Sequence, residues 1–398
     1  QCLDPGPNLL LLLFDVLLRF RLGRWPCTAD ITKAFHQISL NVNDRRWTQF
    51  LWGEKTFWFK RVPFGLASSP FLLLSALHHH YGSLPNDLRQ RLLRSTYVDD
   101  IVTAFDQEAE RKDFVSAAID ALAAASIPLR VTTPDHVLGI PWNPDTDLLA
   151  PSLSSVGEPP AWTRRELLSS LSSVFDPLGL LSPFTIRARV LMQQAWRESD
   201  QWDEQLPESL TKEWNTWIRE AQTTPAPSFP RWVGGGSESN RDLHVFCDAS
   251  SSAYATAIYV CDRTDPRPCL LVAKSRVSPI KTELTIPRAE LMGVTIGMRL
   301  ISHVVREVLR PQRVFIWTDS TTVLGWIAAG GPPKEIFVRN RLREISTLAA
   351  ELTVPTEFRH VASEDNPADL PTRGTSLAAV SDRLWKEGPA FLRKEEST

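Results

Sequence analysis

Residues 95–103 read STYVDDIVT, with two adjacent aspartates between β-favouring residues. This pattern predicts a tight β-hairpin that carries Asp99 and Asp100 at its tip. Because side chains alternate along a strand, two neighbouring acids can share one site only at a turn. Like charges that are crowded or buried cost free energy unless a cation neutralises them. The stretch therefore indicates a cation-binding turn, with an ordinary surface turn as the alternative for a bare Asp-Asp pair.

The composition is that of an ordinary globular protein. At 398 residues, with 43% hydrophobic and 23% charged residues, the chain should contain two or three domains. Its net charge of −2 lacks the strongly basic balance of many nucleic-acid binders, although catalytic acids offset basic channels. The five cysteines show no metal-binding spacing, which indicates reduced thiols. The apolar run at residues 9–13 is too short for a membrane helix, so we expect a soluble intracellular protein.

A third acid, Asp30, ends a short strand predicted for residues 25–31. Alone, an aspartate at the end of a strand is often a helix cap. Together with Asp99 and Asp100, it supplies the carboxylates that a two-metal phosphoryl-transfer site needs. In such a site the protein contributes positioning and charge rather than covalent chemistry.

The order of the motifs resembles the palm of retroelement reverse transcriptases. The motifs are TADITKAFHQI at residues 28–38, VPFGLASSP at 62–70 and YVDD at 97–100. The resemblance implies that Asp30 and Asp99 are metal ligands, and that Asp100 is the second aspartate of the hairpin.

The same resemblance implies roles for residues that would bind nucleotides. Phe35 matches the aromatic gate that disfavours a ribose 2′-hydroxyl group. Phe64 and Gly65 match the segment beneath the incoming nucleotide and the template. The alternative is that Phe35 and Phe64 are plain core residues.

A second set of acids follows in the C-terminal part of the chain, each at the end or the start of a predicted element. They are Asp248 between two strands in residues 242–259, Glu290 in the first turn of a helix that begins near residue 285, Asp319 at the end of a strand in residues 314–320, and Asp369 at the start of a last helix. Apolar residues recur at three- and four-residue steps over residues 291–308, which gives the first of these helices one apolar face.

Four acids delivered by strand, helix, strand and helix resemble the layout of ribonuclease H. The resemblance implies that Asp248, Glu290, Asp319 and Asp369 bind two divalent metal ions, and that His360 is the mobile histidine that helps to release product. Carboxylate oxygens without a soft ligand suit Mg²⁺ or Mn²⁺. A helix cap or a surface charge is the alternative for any single acid.

The predicted fold class is α+β / α/β multidomain, divided at two breaks in composition. Residues 141–160 are rich in Pro, Asp and Ser, and residues 223–240 contain a Gly-Gly-Gly run. Between them, Thr163 and Glu166 have capping-box spacing. Further strands are predicted at 47–52 and 56–62, and helices at 66–80, 107–126, 183–196 and 207–220. The predicted domains are an N-terminally truncated palm with incomplete fingers at 1–140, a helical thumb/connection at 141–235, a ribonuclease H-like domain at 236–375 and a C-terminal tail at 376–398.

The middle of the chain resembles one lineage of retroelements in particular. LGIPWNP at residues 138–144 and SVFDPLGLLSP at 173–183 are similar to Pao (BEL/Pao) long-terminal-repeat retrotransposon polyproteins. In that family this region has been given a peptidase name. An aspartic protease needs Asp-Thr-Gly or Asp-Ser-Gly, and neither tripeptide occurs in the sequence.

These resemblances predict a fragment of a retrotransposon RNA-directed DNA polymerase and ribonuclease H, with two Mg²⁺ or Mn²⁺ ions in each active site. Its expected partners are an RNA template, a DNA primer, dNTPs and RNA–DNA hybrids, with no membrane. Polymerisation is expected to be impaired by the missing fingers. We expect the protein in cytoplasmic retroelement particles, in the nucleus, or in both. The alternatives are a degenerate, non-catalytic fragment and a domesticated scaffold that binds nucleic acid or protein.

Overall fold

The computed structural model describes residues 3–153, 161–198, 201–234, 240–262, 267–280, 284–329 and 335–393. The chain forms two compact units, Gln1–Pro134 and Asp135–Thr398. The predicted boundary between residues 235 and 236 lies outside the described residues, as do parts of both predicted linkers. The division into four regions therefore stays a prediction.

The first unit is built on a four-stranded antiparallel sheet with the order β4-β5-β1-β6. Its elements are α1 (Leu13–Phe20), β1 (Trp25–Ile31), α2 (Ala34–Gln37), β2 (Gln49–Trp52), β3 (Lys55–Trp58), α3 (Ser69–Tyr81), α4 (Asn86–Ser95), β4 (Thr96–Tyr97), β5 (Asp100–Phe105), α5 (Glu108–Ala124) and β6 (Leu129–Thr132). Apolar residues of β1, β5, α3 and α5 form one core beneath the sheet. The strand predicted at 25–31 is confirmed with the same bounds, and the helices predicted at 66–80 and 107–126 are confirmed as slightly shorter helices.

The predicted strand pair around residue 53 is also present as a two-stranded hairpin. Strands β2 and β3 pair from Gln49 opposite Trp58 to Trp52 opposite Lys55. Every residue of both strands is exposed. The hairpin is shorter than the sequence predicted, because residues 45–48 form a 3₁₀ turn and pairing stops at Trp58.

The second unit contains two sheets and the helices of the middle region. Its elements are β7 (His136–Val137), β8 (Ile140–Asn143), β9 (Leu148–Leu149), α6 (Arg164–Ser172), α7 (Ser182–Glu198), α8 (Glu208–Thr223), β10 (Phe229–Pro230), β11 (Arg241–Ala249), β12 (Ala253–Asp262), β13 (Cys269–Val277), α9 (Ile286–Glu307), β14 (Arg313–Thr318), α10 (Thr321–Ala329), α11 (Ile336–Glu351), β15 (Thr356–His360), α12 (Leu370–Arg373) and α13 (Arg383–Glu387). The small sheet has the order β10-β9-β8-β7. The sequence predicted no strands there.

The larger sheet of this unit has the order β13-β12-β11-β14-β15. Strands β13, β12 and β11 are antiparallel, whereas β14 and β15 run parallel to β11. Helix α9 packs on β11 and β12 through its predicted apolar face, which is buried. Because β11 and β14 are parallel neighbours, their carboxyl ends lie at the same end of the sheet. Asp248 and Asp319 are at these two strand ends.

The helices of the middle region pack against this larger sheet. Thr163 caps α6 as predicted, since its Oγ1 accepts the N–H of Glu166 at 3.3 Å. Ahead of α7, the carbonyl of Leu178 accepts the N–H of Ala273 on the edge strand β13 at 3.0 Å. Helix α7 then packs against both β13 and α12.

Residues in the predicted C-terminal tail also belong to the core of this unit. The indole of Trp385, on α13, is fully buried, and its Nε1 donates to the carbonyl of Leu180 at 2.8 Å. The hydroxyl of Tyr259 donates to the carbonyl of Trp385 at 2.8 Å. The segment around α13 is therefore a packed part of the fold. Among the residues that the structure describes, none of the helices has the length and apolar character that spanning a bilayer requires.

Gly179 provides a test of the contact between the middle region and the sheet edge. It has a φ of +68°, and a Cβ atom there would overlap the carbonyl oxygen of Ala273. We expect Gly179→Ala to lower the free energy of unfolding by about 2–4 kcal/mol, through left-handed strain and a displaced edge contact. Urea unfolding followed by tryptophan fluorescence measures the change.

The matched control is Gly325→Ala in α10, where an added Cβ meets nothing within 4 Å. That change should be neutral or stabilising by up to about 1 kcal/mol, because alanine favours the helix. Equal effects at the two positions would contradict the role of Gly179.

Candidate active sites

The first candidate site lies at the hairpin of β4 and β5. Tyr97 pairs with Asp100 and leaves only Val98 and Asp99 in the loop, so the predicted hairpin is present. Val98 has a φ of 58°, the left-handed conformation that such tight turns require. The carbonyl of Asp99 accepts the N–H of Ile31 at 2.9 Å, which fixes the turn against the end of β1.

Strand register brings the three acids of this hairpin region together. Asp30 lies opposite Asp100 across β1 and β5, and opposite Arg130 across β1 and β6. Directly opposed residues of antiparallel strands project from the same face. Nη2 of Arg130 lies 3.7 Å from Oδ2 of Asp30, the one cationic contact that the structure records for these acids among the residues it describes.

The carboxyl groups of this site repel one another. The pKa of Asp100 is raised to about 6, mainly by burial and in addition by the charges of Asp99 and Asp30. Burial also raises the pKa of Asp99, and Asp30 adds to the shift. The three acids therefore share one electrostatic environment, which a bound cation would relieve.

Phe35 and Phe64, in the same unit as this site, are in contact, and Gly65 follows Phe64 in the chain. The Phe35 ring is 8% exposed and belongs to the core, whereas Phe64 is 63% exposed. Their rings meet edge to face with centroids 5.0 Å apart. Gly65 has a φ of +85° and open space around it. The alternative that Phe64 is a core residue is therefore wrong, while Phe35 is compatible with both interpretations.

The second candidate site lies at the carboxyl ends of β11 and β14, two neighbouring inner strands of the larger sheet. Asp248 is the penultimate residue of β11, Asp319 follows β14, and Asp369 directly precedes α12. Glu290 lies in the second turn of α9, so the prediction of the first turn is wrong, because the helix begins at Ile286. Asp369 does start a helix, but α13 follows it, so α12 is not the last helix.

The close packing of α9 on β11 brings Glu290 to this end of the sheet. A Cβ atom on Gly293 would lie 2.7 Å from the carbonyl oxygen of Asp248, so only glycine allows the helix to approach this far. Glu290 is three residues before Gly293 and therefore lies on the same side of α9. Its carboxylate lies next to the end of β14, where Ser320 donates to it and Asp319 is the neighbouring charge.

Each of the four carboxylates has a neighbouring donor that the sequence analysis did not single out. Thr372 Oγ1 donates to Asp248 Oδ2 at 2.6 Å, Ser320 Oγ to Glu290 Oε2 at 2.5 Å, Ser363 Oγ to Asp319 Oδ2 at 2.6 Å, and Arg373 Nε to Asp369 Oδ1 at 2.6 Å. The sequence gives no signal for the three hydroxyl contacts, because a hydroxyl group does not reveal its partner. The four-residue spacing of Asp369 and Arg373 is a signal for the fourth contact. His360 ends β15, exposed, and pairs in register with Thr318.

These acids are also electrostatically coupled. The pKa of Asp248 is raised to about 7, mainly by burial. The Thr372 hydrogen bond opposes this shift, and the charges of Asp319 and Asp369 add to it. Burial raises the pKa of Glu290 as well, with a further contribution from Asp319. The four side chains therefore form one acidic cluster.

The donor chemistry of the cluster fits a hard divalent cation. Oδ1 of Asp319 is buried and has no hydrogen-bond partner within the described part of the chain. Such an orphaned carboxylate oxygen, among other carboxylates, is suited to Mg²⁺ or Mn²⁺. Within the described ranges, however, no three His, Cys, Asp or Glu side chains are grouped closely enough to hold a metal ion as placed.

Comparison with protein families matches one region in each of the two units. Residues 13–132 match the family model described as reverse transcriptase (RNA-dependent DNA polymerase). Residues 163–320 match the Pao retrotransposon-like RNaseH-like domain. The chain therefore contains a reverse transcriptase region and a Pao-type ribonuclease H-like region, and the resemblance predicted from the sequence is confirmed. Both families generally use divalent metal ions.

Solved structures of the foamy viral protease-reverse transcriptase have a similar fold, which confirms the predicted fold class. A form in complex with double-stranded DNA matches with a TM-score of 0.62 and 14% identity, covering 91% of this chain and 60% of that one. The complex with an RNA/DNA hybrid matches with a TM-score of 0.53 and 16% identity, covering 87% and 45%. The chain thus spans less than two thirds of these relatives. No curated protein sequence matches it.

The raised pKa of Asp248 predicts how stability depends on pH in a metal-free chelating buffer. In the unfolded chain this carboxyl ionises near its usual pKa of 3.8, but in the folded chain only near 7. The folded state therefore loses stability as the pH rises from about 4 to 7, and the loss is complete above 7. Asp248→Asn should remove this penalty and be roughly 2–4 kcal/mol more stable than the natural chain at pH 8.

At pH 4 the advantage of Asp248→Asn should shrink to about 0.5 kcal/mol, because the folded natural chain is then protonated and the unfolded chain is only near its own titration midpoint. Urea unfolding in EDTA at the two pH values measures the difference. Asp145→Asn, at an exposed loop position of the same unit, controls for the loss of a negative charge. A constant difference at both pH values would contradict the prediction.

Proposed function

We propose that the chain is part of a retrotransposon RNA-directed DNA polymerase and ribonuclease H. The proposal rests on the electrostatically coupled cluster of four acids at the ends of β11 and β14. These acids are Asp248, Glu290, Asp319 and Asp369. These four acids hold divalent metal ions in our proposal, and Asp30 and Asp99, with Asp100 beside them, do the same in the palm. The palm extends over residues 1–140, the helical thumb/connection over 141–235 and the ribonuclease H-like domain over 236–375.

The bound ions, two Mg²⁺ or Mn²⁺ in each site, supply Lewis-acid activation of the attacking oxygen and stabilisation of the leaving oxygen. The residues of the chain position these ions and the nucleic acid. Thr372, Ser320 and Ser363 each donate to one carboxylate and so fix its orientation. His360, exposed at the end of β15, is proposed to help release the cleaved product.

In the palm, Phe35, Phe64 and Gly65 are proposed to contact the incoming nucleotide and the template. The exposed ring of Phe64 offers a flat apolar face, and Gly65 presents bare backbone beside it. Phe35 supports the Phe64 ring edge to face. This arrangement suits a base pair above Phe64 and a sugar beside Phe35.

The proposed partners are an RNA template, a DNA primer, dNTPs and RNA–DNA hybrids. The similar foamy virus proteins were solved in complex with double-stranded DNA and with an RNA/DNA hybrid. We place the protein in cytoplasmic retroelement particles, in the nucleus, or in both. A degenerate fragment and a domesticated binding scaffold are the alternatives, and both predict a folded chain without metal-dependent activity.

Loss of a ribonuclease H acid tests the C-terminal activity. Asp319→Asn should lower Mg²⁺-dependent cleavage of the RNA strand in an RNA–DNA hybrid by about 100-fold or more, because a metal ligand is removed. The circular dichroism spectrum and unfolding midpoint should stay close to those of the natural chain. Glu364→Gln, at an exposed neighbouring position, is the control and should cleave normally. Cleavage by Asp319→Asn at the natural rate would refute the assignment, and a folded natural chain that never cleaves would favour the degenerate alternative.

Loss of a palm acid tests the polymerase. Asp99→Asn should abolish metal-dependent extension of a DNA primer on an RNA template, because a proposed metal ligand of the palm is removed. Hybrid cleavage should be unchanged, because Asp99 is not one of the four acids proposed for that activity. Primer extension and cleavage are measured on the same preparations. Asp113→Asn, at an exposed position of α5, is the matched control and should retain both activities. Extension that survives in Asp99→Asn would exclude the palm assignment.

A further inference from the structure

The segment of residues 366–377 carries Asp369 and Thr372, and its N-terminal end is fixed to the sheet. We call it the Asp369 segment. The side chain of Asn366 is buried, and its Nδ2 donates to the carbonyl of Cys247 on β11 at 3.1 Å. Its Oδ1 accepts the N–H of Ala368 at 3.2 Å. The beginning of the segment is thus tied to the strand that carries Asp248.

The other end of the Asp369 segment is held by the helices of the middle region. The N–H of Thr375 donates to the carbonyl of Pro183 in the first turn of α7, at 2.9 Å. The carbonyl of Thr375 accepts from Nη1 of Arg187 on α7, at 3.2 Å. Oε1 of Glu220, on α8, accepts the N–H of Leu377 at 2.5 Å. Two helices outside the sheet therefore fix the end of a segment that carries a proposed metal ligand.

Arg187 and Glu220 also bind each other. Nη1 of Arg187 lies 2.7 Å from Oε2 of Glu220, and the two side chains are 31% and 19% exposed. The carboxylate of Glu220 thus uses one oxygen for Arg187 and the other for the backbone of Leu377. A Cβ atom on Gly374 would lie 2.6 Å from Cγ of Arg187, so the segment packs directly on the arginine stem.

We propose that Arg187 and Glu220 are a positioning pair for the ribonuclease H-like site. Within the described residues, the side-chain hydrogen bonds recorded for Arg187 and Glu220 are with each other and with the backbone of the Asp369 segment, so the pair acts through that backbone. A shift of about 1 Å in a catalytic group costs roughly 100-fold in rate, so a short segment that carries a metal ligand needs fixed ends. This inference rests on the proposed ribonuclease H function and extends it to α7 and α8.

Single substitutions test the pair through steady-state cleavage of an RNA–DNA hybrid. Arg187→Ala and Glu220→Ala should each lower kcat about 10-fold, with KM for the hybrid unchanged within about twofold, because the reacting geometry is altered and hybrid binding is not. The double variant should lose no more than the worse single variant, since the two residues act as one unit. Glu220→Gln keeps an oxygen for the N–H of Leu377 and should recover most of the kcat.

The matched control is Arg165→Ala, which removes an ion pair of the same kind in the same region. Nε of Arg165 lies 2.7 Å from Oδ1 of Asp203, both side chains are exposed, and neither contacts the Asp369 segment. This variant should keep the natural kcat. Equal kcat values for Glu220→Ala and Arg165→Ala, or a loss confined to KM, would overturn the proposal.

Mn²⁺ titration separates this inference from the proposed activity. Mn²⁺ binding to the ribonuclease H-like site is taken as the part of the binding that Asp319→Asn removes. This difference leaves out any Mn²⁺ that binds in the palm. Glu220→Ala should weaken that binding about 10-fold relative to Arg165→Ala. If the natural chain binds Mn²⁺ there and cleaves no hybrid, the proposed activity fails and the titration alone decides the role of the pair. Unchanged affinity in Glu220→Ala overturns the positioning role, and a natural chain with no such binding overturns both proposals.

Discussion

Carboxylates repel one another when they are brought together in a partly buried site, and both units of this protein bring several together. In the palm, strand register places Asp30 directly opposite Asp100, and a two-residue loop adds Asp99. In the second unit, Asp248 is almost fully buried within reach of the charges of Asp319 and Asp369. The well-packed sheets beneath these sites stabilise the folded chain enough to tolerate this repulsion. The crowding is thus imposed by the backbone, and hydroxyl groups and arginines surround the acids.

The features that the sequence predicted well are local or strongly periodic. The hairpin at Asp99 is specified by four residues, and α9 by an apolar pattern that extends over several turns. The start of α9 was predicted to within one residue, but the turn that contains Glu290 was assigned wrongly, because Glu290 is the fifth residue of the helix and one turn has about 3.6 residues. The acids of both candidate sites could be proposed from their order, since each stands at the end of a recognisable strand or helix.

The features that were missed depend on contacts between distant residues. The small sheet of the second unit consists of strands two to four residues long, too short for an alternating pattern, and Leu149 pairs with Phe229 far along the chain. Likewise, nothing local to Thr372 indicates that its hydroxyl donates to Asp248. The packing of α7 on β13 brings the middle region onto the ribonuclease H-like sheet, and the Pao family match at 163–320 also spans both. Such pairings are decided by the whole fold.

The hydrogen bond between Leu178 and Ala273 has a consequence for how the protein behaves among other copies of itself. Strand β13 is the last strand on its side of the sheet, and an uncovered edge offers backbone groups to which a strand from another molecule can add. The carbonyl of Leu178 accepts one of those groups, the N–H of Ala273, and α7 packs against the strand. Because Gly179 has no side chain, the covering segment can lie directly against the edge. The segment that joins the middle region to the sheet therefore also protects the molecule from edge-to-edge aggregation.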